Sequence, residues 1–352
     1  MISTFLSALL LCSLYSSSTS ISYEVRLLSR SSAPVLSYVD GTSTYQQVFN
    51  PTWVAASRST NGRSGIIVRT QDCNSSPQVA GAKCTFCGGD QANASVLTFS
   101  ELSADGSGFK RVDSSSVVFG PSQIDDSWGT EDPRMIFNPL DQLYYMMYTA
   151  YNGSAIFLSM ATSKNPTSST GNWIKHGPVF PSQPGSKSGA LILAKKHSGD
   201  NFLLWGDHDI RIARSANLLS WPDIGETLLQ VRTDSFDSQL VESGPPPLLL
   251  DSGDYLFFYN SATIGWPSQP NTSYNVGWVI LDGSDPTIIK ARASVPLISP
   301  LYAWETGNAP YTCNAPNVVF LEAAYSLGGD KFQVFLGAAD ATIGSAVVEV
   351  VY

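Results

Sequence analysis

Charge is what this sequence has least of. Across 352 residues only 14% are Asp, Glu, Lys or Arg, against about 25% in an average soluble domain. The 20 basic residues are outnumbered by 29 acidic ones, giving a formal net charge of −9. The basic field that neutralises a phosphate backbone is therefore missing, which excludes a nucleic-acid partner. Long apolar runs are also missing: beyond the N-terminal segment none approaches the ~20 residues of a membrane span, so no membrane is expected for the mature chain. Histidine occurs only three times (His176, His197, His208) and cysteine five times. Cys84-x-x-Cys87 has no second pair at zinc spacing and no histidine near it in sequence, so neither a metal nor a cofactor is expected. Helical periodicity is nearly absent as well. What is present is 43% hydrophobic and 11% aromatic residues, too apolar for a disordered chain and ample for a self-supporting core.

The apolar stretch Phe5–Tyr15 followed by small polar residues reads as a secretory signal peptide cleaved near Ser18–Ser20, which assigns residues 1–20 to the signal and 21–352 to one domain. No Lys or Arg precedes that stretch, which is unusual for such a segment. Sequons at Asn74, Asn93, Asn152 and Asn271 agree with a secreted glycoprotein. Cys73, Cys84, Cys87 and Cys313 remain in the mature chain, an even number that suits two disulfides.

Short β-rich runs recur along the whole mature chain, among them Gly65–Arg69, Leu143–Ala150, Phe202–Trp205, Tyr255–Tyr259 and Ala346–Val351. Gly, Asp, Asn, Ser and Pro separate them, which is turn chemistry. An all-β chain of this kind is a sandwich, a barrel or a propeller. A faint repeat decides. Ile156–Ser163 followed by Trp173 parallels Ile210–Ser215 followed by Trp221, and a wider strand–turn–strand pattern restarts at Asn50, Asp132, Ser188, Gly244 and Asn317. Five restarts predict a five-bladed β-propeller, closed by Ala346–Val351 or by an early strand near Ser22–Leu27. The inner strands of such a ring converge on its axis, so polar residues at their starts point at one pocket.

Gly129-Thr-Glu131-Asp132-Pro133-Arg134 offers a carboxyl pair beside a base, with Pro133 predicting an extended backbone at Asp132. In Leu240-Val-Glu242-Ser-Gly244-Pro-Pro-Pro247 the prolines predict a rigid lead-in to a strand starting at Leu248, with Glu242 just before it. Asn50, Lys187, Asp207, Asn260 and Trp304-Glu305 fall near equivalent starts in other blades. Tryptophans beside carboxylates suit sugars, whose C–H faces stack on rings while their hydroxyls bond to carboxylates.

With FNPTWV, EDPRM and YTAY, KSGALI and WGD, LVESGPPPL and FFYNS, PNVVF and LGAAD in this order, the chain resembles glycoside hydrolase family 130 from about Phe49 to Tyr352. The resemblance implies a five-bladed propeller that cleaves β-mannosides with inversion, by phosphorolysis or by hydrolysis. It implies Asp132 as general acid, acting directly or through a sugar hydroxyl, and Asn50, Arg69 and Arg134 as mannose-subsite residues. The family's phosphorylases hold phosphate with basic side chains, one of them a His in a Tyr-His-Gly segment. Here that segment is Tyr259-Asn260-Ser261, and Lys187 falls where the phosphorylases have a basic residue but within Lys-Ser-Gly, as in hydrolase-like members. Without the His a phosphate dianion is held less well, so water is the expected nucleophile. An inverting hydrolase also needs a base opposite the acid. Glu242 is the first choice and Glu305 the second, with Asp207 and Glu322 behind them. The expectation is thus a secreted inverting β-mannoside hydrolase, with a β-mannoside phosphorylase as the alternative. A non-catalytic glycan-binding propeller is the third reading.

Overall fold

Middle strands packed on both faces need no polar side, and the longest apolar runs behave that way. Leu143–Tyr151 is buried at every position except its two ends, because neighbouring sheets cover both of its faces. The computed structural model describes residues 22–37, 47–71, 94–106, 108–168, 172–196, 199–264, 272–308 and 315–352. The expected signal segment, the four mature cysteines and the sequons at Asn74, Asn93 and Asn271 lie outside these residues.

Five antiparallel sheets are formed. The first joins β2 (Gln47–Val54), β3 (Gly65–Gln71), β4 (Val96–Glu101) and β5 (Val117–Phe119). The second joins β6 (Gly129–Asn138), β7 (Leu143–Tyr151), β8 (Ile156–Ser163) and β9 (Trp173–Pro178). The third joins β10 (Ala190–Ile192), β11 (Asn201–Trp205), β12 (Ile210–Ser215) and β13 (Glu226–Leu229). In the fourth, β14 (Leu240–Ser243) and β15 (Leu248–Leu249) both pair with β16 (Tyr255–Ile264), followed by β17 (Thr272–Leu281) and β18 (Ile289–Arg292). The fifth takes β19 (Val319–Gly328), β20 (Lys331–Ala338) and β21 (Thr342–Val351), and its outer strand is β1 (Glu24–Arg30). The ring is a five-bladed β-propeller. Both strands expected to close it do so together, paired from Glu24↔Val351 to Arg30↔Ala346. The repeat seen in sequence is real, since β8 and β12 are the third strands of adjacent blades.

Each interface between neighbouring blades has its own apolar core. Tyr148 and Phe119 meet between the first two blades, Leu158 and Trp205 between the next two, and Phe257 and Ile210 between the third and fourth. Phe258 and Leu336 join the fourth to the fifth, and Val48 and Phe335 join the fifth to the first. Full burial of one such side chain stabilises by roughly 1.5–3 kcal/mol. With apolar groups used between blades, the polar ones collect at the axis.

Two sequence expectations about the inner strands are corrected. Asp132 is not extended: its φ is +50°, and the pairing of β6 with β7 slips between Glu131 and Arg134. Asp132 falls in a β-bulge, where Asp tolerates the left-handed region, and its carbonyl is held by Arg134. Asn50 does the same in β2, with φ +47° and a slip between Phe49 and Pro51. Glu242 lies inside an inner strand rather than ahead of one, because Gly244–Pro247 interrupts that strand between β14 and β15. A side chain at Gly244 would meet the carbonyl oxygen of Phe258 at 2.5 Å, so only glycine fits there.

A repeat that sequence reading missed braces two blades. Asp126 accepts from Tyr148 and Lys175, and Asp237 accepts from Tyr259, Arg232 and Arg292. Each Asp precedes its inner strand by a few residues and ties it to the middle and outer strands. Burial pushes Tyr148 and Tyr259 well above the usual phenol range, with the neighbouring Asp adding to it.

Candidate active site

The bulges turn Asn50 and Asp132 towards the axis, where they meet Arg69, Lys187 and Glu242 around a cavity of about 190 Å³. Five of the residues expected from sequence therefore line one pocket. Arg69 comes from β3 and crosses to the second blade. Its Nη1 lies 2.9 Å from Asp132 Oδ1, its Nη2 lies 2.7 Å from Glu131 Oε1, and its Nε donates to Ser95. The guanidinium also stacks over Phe49 at 4.7 Å. On the facing side, Lys187 Nζ lies 3.2 Å from Glu242 Oε1 and 3.7 Å from Asp207 Oδ2. Ser188, left-handed at φ +61°, donates its hydroxyl to the same Glu242 oxygen.

Arg134 is the keystone beneath the cavity and is 1% exposed. Nη1 donates to the Asp132 carbonyl, and Nη2 donates to Ser243 O at 2.8 Å. The same Nη2 lies 2.8 Å from Glu322 Oε1 and 3.8 Å from Glu242 Oε1. One guanidinium therefore joins the inner strands of three blades. Three cations (Arg69, Arg134, Lys187) face five carboxylates (Glu131, Asp132, Glu242, Glu322, Asp207) through these contacts, and Asp340 adds a sixth carboxylate to the cavity wall.

The protonation pattern separates these carboxyls. Burial alone would push Asp132 up, but Arg69, Lys187 and Arg134 together hold it below the usual carboxylate range. Burial raises Glu131 above that range despite Arg69, and pushes Asp340 up to about 6. Asp132 is thus the carboxyl whose ionised form its cations favour, while burial shifts Glu131 and Asp340 towards the protonated form.

Four expectations are corrected or narrowed. Glu305 is wholly buried within the short helix α1 (Ala303–Thr306), paired to Arg30 at 2.5 Å and accepting the backbone N–H of Leu301 and Tyr302. All its capacity goes into holding a loop on β1, and it does not line the pocket. Trp304 is 1% exposed in the core between the last two blades, with its indole N–H on Ser32 O, so it offers no sugar platform. Asn260 is fully buried and bonds both the N–H and the C=O of Leu321, clamping β16 to β19. Asp207 sits at the rim, its side chain 43% exposed. The pocket's aromatic rings are those of Phe49, Tyr274 and Phe320. Tyr274 and Asp340 were missed because they come from the start of β17 and the β20–β21 turn rather than from inner-strand starts. The LGAAD run was the available signal for Asp340.

A family model described as beta-1,4-mannooligosaccharide phosphorylase matches residues 91–351. The chain belongs to glycoside hydrolase family 130. A 1,2-beta-oligomannan phosphorylase of Thermoanaerobacter sp. (strain X514) is 30% identical over 252 residues, covering 70% of this chain and 77% of that one. A beta-1,2-mannobiose phosphorylase of the same organism is 30% identical over 249 residues, covering 70% and 75%. One similar solved structure, with TM-score 0.72 and 25% identity over 92% of this chain and 93% of that one, comes from work on glycoside hydrolases within this family that target beta-1,2 mannosidic linkages in Candida mannan. The sequence-named relatives support the phosphorylase alternative better than the hydrolase expected from sequence.

Proposed function

We propose that this family 130 member cleaves β-mannosides at the axial pocket with inversion, and that β-1,2 linkages are its substrates. The observation that carries the reading is the placement of Asp132 and Glu242 on different inner strands of one polar cavity, each with its own cation. The relatives named above support the substrate class and linkage. Asp132 delivers the proton. A sugar hydroxyl that displaces Arg69 removes the largest of the three cation interactions holding Asp132 ionised, so binding itself moves its pKa upward. The C1–O bond then breaks, the proton goes to the leaving oxygen, and the nucleophile bonds C1 from the opposite face.

Phosphate is the nucleophile that the sequence relatives favour, with Lys187 as the cation nearest its path. The product is then α-mannose 1-phosphate. Water is the second reading, favoured by one observation: Arg69, Arg134 and Lys187 are each already in contact with carboxylates, and Asn260 is committed to Leu321. In that case Glu242 takes the proton from water. Incubating the full chain with β-1,2-mannobiose, with and without inorganic phosphate, distinguishes them. Phosphate-dependent formation of mannose 1-phosphate is expected. Free mannose released at the same rate without phosphate overturns phosphorolysis in favour of water, and no turnover in either buffer overturns the whole reading.

A further inference from the structure

Glu322 is a carboxyl of the axial cluster with no task in the chemistry above, and it is wholly buried against Arg134. It stands on β19 with no exposed surface, and among the described residues neither of its oxygens has a well-aligned hydrogen-bond partner, although the Asn50 side chain is near enough to favour its charged form. Buried polar atoms nearly always find one. Its charged contact among the described residues is Arg134 Nη2 at 2.8 Å. Apolar side chains in place of the whole Glu322–Arg134 pair would cost little stability, so the consequence of having a carboxyl there falls on the neighbours that share Arg134. Those neighbours are the candidate catalytic groups. Arg134 also binds the Asp132 carbonyl at 3.0 Å, the Ser243 and Gly244 carbonyls, and lies 3.8 Å from Glu242.

Building on the β-mannoside reading, we propose that Glu322 is a positioning residue. It fixes the Arg134 guanidinium between Asp132 and Glu242, and its charge state sets how much of that cation's field reaches Glu242. The charged groups facing it are Arg134 and Asp132 from β6 and Glu242 from β14, while β2 contributes the uncharged Asn50. Burial pushes the Glu322 carboxyl up to about 8, with Arg134 opposing and Asp132 and Glu242 adding. Near neutrality the protonated form of Glu322 therefore predominates, and Asp132 and Glu242 are the charged carboxylates that share Arg134. As pH rises through that value Glu322 ionises and competes for the same guanidinium. Its folded pKa lies above the unfolded value of about 4.3. Its contribution to stability is thus full below the unfolded value and lost as pH rises towards the folded one.

The test compares Glu322→Leu and Glu322→Gln with wild type in the full chain, following rates on β-1,2-mannobiose and melting temperature from about pH 5 to about pH 9, which spans both pKa values. Leucine is expected to lower kcat about tenfold or more with a smaller change in KM, because a displaced catalytic group costs rate before it costs binding. Glutamine recovers most of that loss, and the alkaline limb of its kcat/KM profile moves up by about one pH unit or more. Wild type loses melting temperature relative to Glu322→Gln as pH rises across the same window. Equal rates for the two variants, both keeping the wild-type alkaline limb, would overturn the inference. Should wild type cleave no β-mannoside, the reaction reading falls on its own, and the melting comparison still decides about Glu322: parallel curves for wild type and Glu322→Gln overturn it.

Discussion

Asp132→Asn is expected to lower kcat/KM on β-mannosides by about 10³-fold, within the 10²–10⁴ range of a lost general acid. The substitution keeps size and shape but can no longer give up a proton. Folding is expected to survive it. Arg69 keeps Glu131 at 2.7 Å and Ser95 at 3.0 Å, and the Asp132 carbonyl bonded to Arg134 is backbone. The loss should fall on kcat more than on KM. A β-mannoside with a leaving group that needs no proton, such as a dinitrophenolate, separates the roles. If Asp132 is the acid, this substrate loses far less than mannobiose. An equal loss on both substrates would make Asp132 a binding residue, and an unchanged rate on mannobiose would remove it from the chemistry.

Removing the keystone is the second large effect. Arg134→Met takes away the only cation that Glu322 contacts among the described residues and unties the Asp132 carbonyl from β14. Where Glu322 is ionised, above about pH 8, leaving that buried charge uncompensated costs about 3–5 kcal/mol of stability, measurable by denaturant unfolding. Activity should fall below detection, because Asp132 and Glu242 lose their common reference point. Arg134→Lys keeps the charge but not the fork that reaches several acceptors at once, so it should regain stability well ahead of activity. The double variant Arg134→Met with Glu322→Leu removes both partners, and it should be more stable than Arg134→Met alone while staying inactive. Additive destabilisation in the double variant would show that the pair is not coupled.

Much of the ring was legible because its signals are local. Turn residues and apolar runs mark the strands without reference to neighbours, and the restarts at Asn50, Asp132 and Ser188 fall within or just before inner strands. There the structure shows the same left-handed backbone three times. The convergence of Asn50, Arg69, Asp132, Lys187 and Glu242 follows from that geometry. What the sequence could not show depends on which blade lies next door. Trp304 and Glu305 look like a sugar platform and a base, yet the closing strand brings Ser32 and Arg30 onto them and buries both. Asn260 looks like a pocket residue at the phosphorylase His position, but the neighbouring inner strand offers it the Leu321 backbone. Pro133 predicts an extended Asp132, and a bulge shaped by long-range pairing overrides that local preference. Asp340 reaches the pocket from a turn in the last blade, with a φ of +49° that its sequence does not announce.

The most direct test is the anomeric configuration of the first product formed from β-1,2-mannobiose, read by proton NMR in the opening minutes before mutarotation. Attack from the face opposite the leaving oxygen, with Asp132 on one side and the nucleophile on the Lys187–Glu242 side, gives an α-configured mannosyl product. That product is α-mannose 1-phosphate with phosphate as nucleophile and α-mannose with water. A β-configured first product would contradict the single displacement, and with it the assignment of Asp132 and Glu242 to opposite faces of one bond.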